Sequence, residues 1–412
     1  MSASARSMRV SPAVRGTSSR SNRAMPVRRM PVCVKAQECE GATQGKGAMS
    51  RREAIVSAPM LASSAATLLA NGIQVQEAFA EDAPILSSSN WTQVPLPVDP
   101  GVILLDLEFV PDEPGHGFLL GTRQTVLETF NGGKTWEQRF LGQTDDEGVN
   151  YRFQSISFSG KEGWIVGKPA ILYHTVDGGK TWERIPLSAR LPGNPVLITA
   201  LDNKGGAEMA TDEGAIYVTS NAAQTWRAAV EETVSATLNR TVSSGISGAS
   251  YYTGSFASIH RSSEGDYVGV TSRGNFYMTW EAGQSYWQPH NRNSSRRIQN
   301  MGWREDSGLW LISRGGELYF GDGEGVTEEF EQRRIGSRGF GILDVGYKNK
   351  DEVWAAGGSG SLFVSYNQGQ TWKREKALDN LAANLYTVKF VNQGKQGFVL
   401  GNDGVLLRYI GK

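Results

Sequence analysis

Asn131-Gly-Gly-Lys-Thr-Trp136 returns as Asp177-Gly-Gly-Lys-Thr-Trp182, Asn221-Ala-Ala-Gln-Thr-Trp226 and Asn367-Gln-Gly-Gln-Thr-Trp372. A further copy, Glu281-Ala-Gly-Gln-Ser-Tyr-Trp287, carries one extra residue; a degenerate copy ends at Phe330, and an isolated Asn90-Trp91 stands ahead of them all. The aromatic positions 91, 136, 182, 226, 287, 330 and 372 are separated by 45, 46, 44, 61, 43 and 42 residues, and 40 more follow the last. A period in this range marks a propeller or a solenoid, in which each repeat buries its apolar face against its neighbours.

Each unit reads as four short strands. In the second unit, alternation over 153–159, 164–168, 171–176 and 181–187 marks four strands separated by Gly-containing turns, as hairpins require. The last unit supplies only three, 385–392, 397–402 and 405–410, and its fourth is found at the other end of the chain, over 91–95. Pairing that strand with the last three closes a ring without an open blade edge, whereas an open solenoid would need capping repeats. The expected fold is therefore all-β, a seven-bladed β-propeller with the N-terminal strand closing the last blade. The 49 glycines and 11 tryptophans, with no long Ala/Leu/Glu/Lys blocks after residue 80, argue equally against a helical bundle.

The repeated unit resembles the Asp-box of sialidases, some glucanases and sortilin-like receptors. Its physics is structural. A short Asp or Asn side chain accepts hydrogen bonds from the N–H groups of its own turn, Gly supplies positive φ, and the Trp packs between neighbouring sheets. Asp177 offers one carboxylate per turn, far from the six or more oxygens of a Ca²⁺ site.

The N-terminus carries two addresses in series. Residues 1–37 contain no acidic side chain and are rich in Arg, Ser and Ala, the profile of an organelle transit peptide ending near Ala36. Then come Ser50-Arg51-Arg52-Glu53, a weakly apolar stretch over 54–73 and Ala78-Phe79-Ala80, which together form a twin-arginine export signal. The stretch holds too few large aliphatics to span a membrane stably. A transit peptide over 1–36 followed by a twin-arginine signal over 37–80 leads through a chloroplast into the thylakoid lumen, leaving 81–412 as the mature propeller.

Lys plus Arg and Asp plus Glu both number 42, but the balance is uneven: residues 1–80 hold 11 basic and 4 acidic side chains, and 81–412 hold 31 and 38. A mature chain with net charge −7 lacks the basic surplus of a nucleic-acid binder, and no nucleic acid is expected as a partner. Cys33 and Cys39, the two cysteines, both lie in the targeting region, which removes disulfides, thiolate metal sites and Cys nucleophiles from the mature protein. The four histidines show no metal-ligand spacing. No metal and no cofactor are expected.

A sialidase-like, glycan-active propeller is the sharpest enzyme alternative. Sialidases need three arginines for the substrate carboxylate, a Tyr–Glu pair and an acid/base Asp. Arg184-Ile185-Pro186 matches their Arg-Ile-Pro element, but it follows Trp182 in an outermost strand, whereas the sialidase element precedes the first box. Asp145-Asp146-Glu147 reads as a solvated loop run. Neither a phosphate-binding loop nor a Gly-x-Ser-x-Gly elbow is present, and no catalytic residue is assigned. A generic protein-interaction propeller is the remaining alternative.

Propeller topology sorts the loops onto two faces. Turns between first and second strands, and every Asp-box, share one face. Turns between second and third strands share the other with the connections between blades. On that second face fall Arg273 and Arg314 at hairpin turns, and Arg240, Arg292, Arg296, Arg297, Arg333, Arg334 and Arg338 in inter-blade connections, all from blades four to six. One-sided clustering of Arg in an acidic chain favours recognition, because guanidinium pairs carboxylates bidentately and stacks on aromatics. The insertion over 231–254, with Tyr251-Tyr252, joins the same face.

The two-part lumen signal, the seven boxes and the stretch Arg273-Gly-Asn-Phe-Tyr…His290-Asn-Arg-Asn-Ser-Ser-Arg-Arg297…Gln299-Asn-Met-Gly302 resemble the photosystem II stability/assembly factor family of chloroplasts and cyanobacteria. The resemblance implies a non-enzymatic lumenal chaperone. Its implied partners are photosystem II reaction-centre core subunits and their assembly intermediates, first the newly made core-subunit precursor (the D-one protein), bound through the arginine surface during early assembly and repair. Membrane association is then peripheral, through partners, and a monomer is expected.

Overall fold

Seven four-stranded antiparallel sheets follow one another in sequence order, each with its strands in the order in which the chain makes them. The exception is the last, where Trp91–Val94 lies beside Leu406–Tyr409, then Gln396–Gly401, then Leu385–Val391. The ring closes as expected, with Trp91 opposite Tyr409 and Val94 opposite Leu406. The computed structural model describes residues 86–142, 148–230, 255–292, 294–323, 325–337 and 339–411. Both targeting segments, the acidic run Asp145-Asp146-Glu147, the 231–254 insertion, Arg240 and Arg338 lie outside the described residues. Among the described residues no helix is long and apolar enough to cross a membrane.

The boxes hold the turns as the side-chain chemistry demands. Asn131 Oδ1 accepts from the N–H groups of Lys134 and Thr135, both at 3.0 Å, and Asp177 accepts from Thr181 N at 3.0 and 3.1 Å. Burial works to raise the Asp177 pKa, but the hydrogen bonds from Thr181 and Thr175 hold it below the usual aspartate value. Its oxygens are thus committed to its own turn. A Thr or Ser two positions earlier completes the lock: Thr129, Thr175, Thr219 and Ser365 each accept from the N–H two residues past the Asp or Asn, at 2.8–3.2 Å.

Box aromatics bind one blade to the one before it. Trp182 stands edge-on to Phe118 of the first blade at 5.6 Å, and Trp136 edge-on to Phe398 of the seventh at 6.4 Å. Gly179 has φ +85°, and a Cβ there would sit 2.3 Å from the Phe118 ring, so only glycine lets the turn lie flat on the neighbouring aromatic. The fourth strands are shorter than the alternation predicts. Instead of spanning 181–187, the second blade's outer strand is Glu183–Arg184. Thr181 is bound to Asp177, and Pro186 has no N–H to offer the ladder.

The inner strands line a central channel of about 830 Å³. Every one of the seven carries a β-bulge at the same place, just inside its start, where the register skips one residue. An inner strand is a sheet edge with unpaired backbone groups, and side chains at the bulges bridge several of them to the next blade. Asp106 accepts from Ile156 N (3.0 Å), Ser155 from Ile198 N (3.4 Å) and Asp344 from Val388 N (2.9 Å). Lys389 closes the circuit from the seventh blade to the first, 2.8 Å from Asp106 and 3.1 Å from Glu108. Burial opposes its charge, yet the two carboxylates hold its pKa above the ordinary lysine value.

Among the described residues Asp344, unlike Asp106, has no cation paired with it, and burial pushes its carboxyl from 3.8 up to about 7 against the N–H bonds from Val388 and Val345. The neutral form is favoured in the folded state, so its contribution to stability is fully present below about pH 4 and lost as pH rises through about 7. The expected result is that Asp344→Asn, whatever its absolute cost, gains on the wild type between pH 4 and pH 8. The ceiling on that relative gain is about 4 kcal/mol, the equivalent of holding a carboxyl at about 7 instead of 3.8. Melting both proteins across that range checks it; a difference that stays constant with pH contradicts the assignment.

Candidate partner-binding face

On the face opposite the Asp-boxes, the second hairpin turns of the fourth and fifth blades are stitched to the inner strand of the next blade, Ile298 N donating to Gly274 O (2.8 Å) and Ile342 N to Gly316 O (3.1 Å). Those of the fifth and sixth are also tied to the start of their own blade, Arg314 N donating to Arg297 O (2.7 Å) and Gly358 N to Gly341 O (3.1 Å). A glycine in each of the two turns that carry an arginine is forced by this closeness. A Cβ on Gly274 would meet Ile298 O at 2.1 Å, and one on Gly316 would meet Gly341 Cα at 2.0 Å. The result is a flat backbone shelf from which the arginines project.

Four of the expected arginines come together there. Arg273, Arg296, Arg297 and Arg314 are all exposed. Arg314 leans toward the fourth blade, its Nη2 donating to Ser272 O at 3.2 Å. Arg296 pairs with Glu317 at 3.4 Å, and Glu317 is itself pinned by Ser313 Oγ (2.9 Å) and Tyr319 Oη (3.2 Å). Arg334 is exposed on the next connection.

Two of the expected arginines are placed differently. Arg292 is half-buried and staples its own loop, donating through Nε to Ser294 O (2.9 Å) and through Nη1 to the Asn275 carbonyl and side chain (3.3 Å each). Arg333 leaves the face altogether. It packs over Phe320, 5.4 Å from the ring centroid, pairs with Glu331 at 2.9 Å, and lines a cleft whose other walls are turns of the Asp-box side. Its backbone is not in the expected connection but ends the fifth blade's outer strand, Phe330–Arg333, paired with Leu318, and the ring and the carboxylate hold its side chain toward the Asp-box side.

Two aromatics on the arginine side were not anticipated. Phe340 is 43 % exposed and Tyr386, the bulge residue of the seventh inner strand, is 37 % exposed. Both stand near Gly358: Phe340 borders it directly, and Asn384, which also borders it, donates to Tyr386 Oη at 3.4 Å. The signal in the sequence is a phenylalanine set between Gly339 and Gly341 in a connection with no strand to fill.

Among the described residues the elements of a glycan-cleaving site are not gathered. Arg184 lies in an outermost strand, hydrogen-bonded to Tyr151 Oη at 3.1 Å and stacked over that ring. Of the arginines on inner strands, Arg152 and Arg261, the second is tied to Glu208 at 2.8 Å. All four histidines are engaged: His116 with Glu128 and His174 with Glu162, both at 2.8 Å, His260 with Asn300 at 3.1 Å and His290 with Thr279 at 2.7 Å. Among the described residues no group of three or more His, Cys, Asp or Glu side chains is arranged to hold a metal.

The model of the photosynthesis system II assembly factor YCF48 family matches residues 83–410. A photosystem II stability/assembly factor, HCF136, of Arabidopsis thaliana is 62 % identical over 362 residues, covering 88 % of this chain and 87 % of the relative. The photosystem II assembly lipoprotein Ycf48 of Trichormus variabilis is 48 % identical over 327 residues, covering 79 % and 88 %. Among solved structures, YCF48 bound to D1 peptide superposes with a TM-score of 0.69 at 40 % identity, covering 80 % of this chain and 99 % of that one. YCF48 from Cyanidioschyzon merolae gives the same TM-score at 47 % identity, covering 78 % and 98 %. A virginiamycin B lyase from Staphylococcus aureus, at 11 % identity and a TM-score of 0.57, shares the fold alone. On a match that spans the whole propeller and on identity that reaches 62 %, this chain belongs to the photosystem II stability/assembly factor family.

Proposed function

We propose that this chain is a non-enzymatic assembly factor that binds the newly made D1 precursor on the lumenal side of the thylakoid membrane during early photosystem II assembly and repair. The observation that carries the reading is the shelf of four exposed arginines, gathered from two adjacent blades in a mature chain of net charge −7. Cations concentrated on one face steer an acidic partner and fix its orientation. The relative solved with a D1 peptide, alike over 99 % of its own length, supports D1 as that partner. Channel carboxylates committed to Lys389 and to backbone N–H groups support a role without chemistry.

The mature chain is residues 81–412, a monomer held at the membrane through its partners, after removal of a transit peptide (1–36) and a lumen signal (37–80). Binding is tested by titrating a synthetic lumenal D1 peptide into the mature chain. Saturable binding that weakens as salt rises from roughly 0.05 to 0.3 M is expected, since contacts between exposed charges are screened. The address is tested separately. Arg51→Lys with Arg52→Lys keeps the charge and removes the twin arginines, so an imported intermediate should accumulate in the stroma. Unchanged arrival in the lumen would mean that a different route carries the chain.

A further inference from the structure

Arg333 points to a second site on the Asp-box side. Between the fifth and sixth blades lies a cleft of about 110 Å³, walled by Arg304, Asp306, Phe320, Arg333 and Tyr347. Arg304 and Arg333 both stand over Phe320, each 5.4 Å from the ring centroid. Arg304 is fixed by Asp306 and by the Gly321 carbonyl (2.8 Å). Arg333 spends Nη1 on Glu331, and its Nε is buried without a hydrogen-bond partner. The Tyr347 hydroxyl is buried and unpartnered as well. Burial raises the pKa of this phenol, so it stays a protonated donor at any working pH.

Two donors held in place without an acceptor are a cost to folding unless something accepts from them. The charges around them decide the sign of what fits. Arg304 and Arg333 face one half-buried carboxylate, Asp306, while Lys350, Glu305 and Glu331 are all exposed, where solvent screens them. The space, about 110 Å³, accommodates a carboxylate or a phosphate group.

We propose that this cleft binds a small oxyanion, a carboxylate or a phosphate group, with the Tyr347 hydroxyl and Arg333 Nε–H as its donors and Arg304 as the fixed cation behind them. The site is independent of the D1 reading and lies on the other side of the propeller from the arginine shelf. A carboxylate would come from an acidic side chain of a docking partner; phosphate would come from solution.

Melting of the mature chain in chloride, acetate and phosphate at matched ionic strength tests the proposal. A saturable rise of about 2–5 °C over chloride is expected in acetate or in phosphate, as for any ligand present well above its dissociation constant. A response to acetate alone assigns the carboxylate source, and a response to phosphate alone assigns the free ion. Tyr347→Phe gives up no hydrogen bond within the protein, so it should melt in chloride like the wild type while losing most of the anion response; Arg333→Gln should lose it too. The chain with Arg273, Arg296, Arg297 and Arg314 changed to Glu should keep the response, which separates this site from the proposed D1 face. If neither anion outdoes chloride, or if the rise is the same in wild type and both cleft variants, the ions act through bulk solvent and the site is overturned.

Discussion

A chain lacking residues 81–96 is expected to yield no soluble, cooperatively melting protein. The lost strand, Trp91–Val94, pairs along its whole length with Leu406–Tyr409, so its removal exposes that strand as a bare edge. It also removes Trp91, which is fully buried and stands edge-on to Trp354 and to Tyr409, each at 5.1 Å. Those contacts reach across the junction between the sixth and seventh blades. Just ahead of the strand, Asn90 O accepts from Ile410 N (2.7 Å) and Asn90 Nδ2 donates to Glu375 (2.9 Å). Truncating a buried Trp costs about 3–5 kcal/mol by itself, against a net stability of about 5–15 kcal/mol for a whole domain. Loss of the ladder in addition should leave nothing. A synthetic peptide covering 86–96, added in trans, should recover part of the folded signal. If the truncated chain melts like the intact one, the seventh blade does not depend on the N-terminal strand.

How much of this was legible follows from what each residue's role depends on. The propeller was legible because the Asp-box is local: Asn131, Asp177, Asn221 and Asn367 satisfy N–H groups three and four residues on, and their Trp partners repeat at the blade period. The Thr or Ser two positions before the box was equally local and could have been read from the same repeats. The inner-strand bulges could not, because a skipped residue leaves the run apolar and disturbs only which side chain faces the channel. The short outer strands came from Pro186 and from turn bonds that claim residues which alternation assigns to a strand. For the arginines, topology placed the backbone of Arg273, Arg296, Arg297 and Arg314 on the turns and connections of one face, but long side chains choose among partners that are distant in sequence. Arg333 turns to Phe320 and Arg292 to Asn275, and no periodicity encodes either choice.

Changing Arg273, Arg296, Arg297 and Arg314 together to Glu is expected to weaken D1-peptide binding by about 100-fold or more at low salt. Each reversal turns an attraction between exposed charges into a repulsion of roughly 1 kcal/mol, and four of them exceed the 2.8 kcal/mol that corresponds to about 100-fold. The fold should be nearly indifferent. All four side chains are exposed, and the bonds at stake are the Arg296–Glu317 pair and the Arg314 bond to Ser272 O, each worth little at a surface. Lys134, Lys180 and Lys373 changed to Glu on the Asp-box side alter the net charge almost as much and should leave binding within a few-fold of wild type. Arg333→Glu gives a sharper contrast: its backbone ends the strand that leads into the connection to the sixth blade, yet its guanidinium lies in the cleft on the other side, so D1 affinity should hold. Raising the salt should shrink the gap between the arginine set and the wild type. Equal losses in the arginine and lysine sets would mean that net charge alone governs association, and wild-type affinity in the arginine set would move the D1 contact off this face.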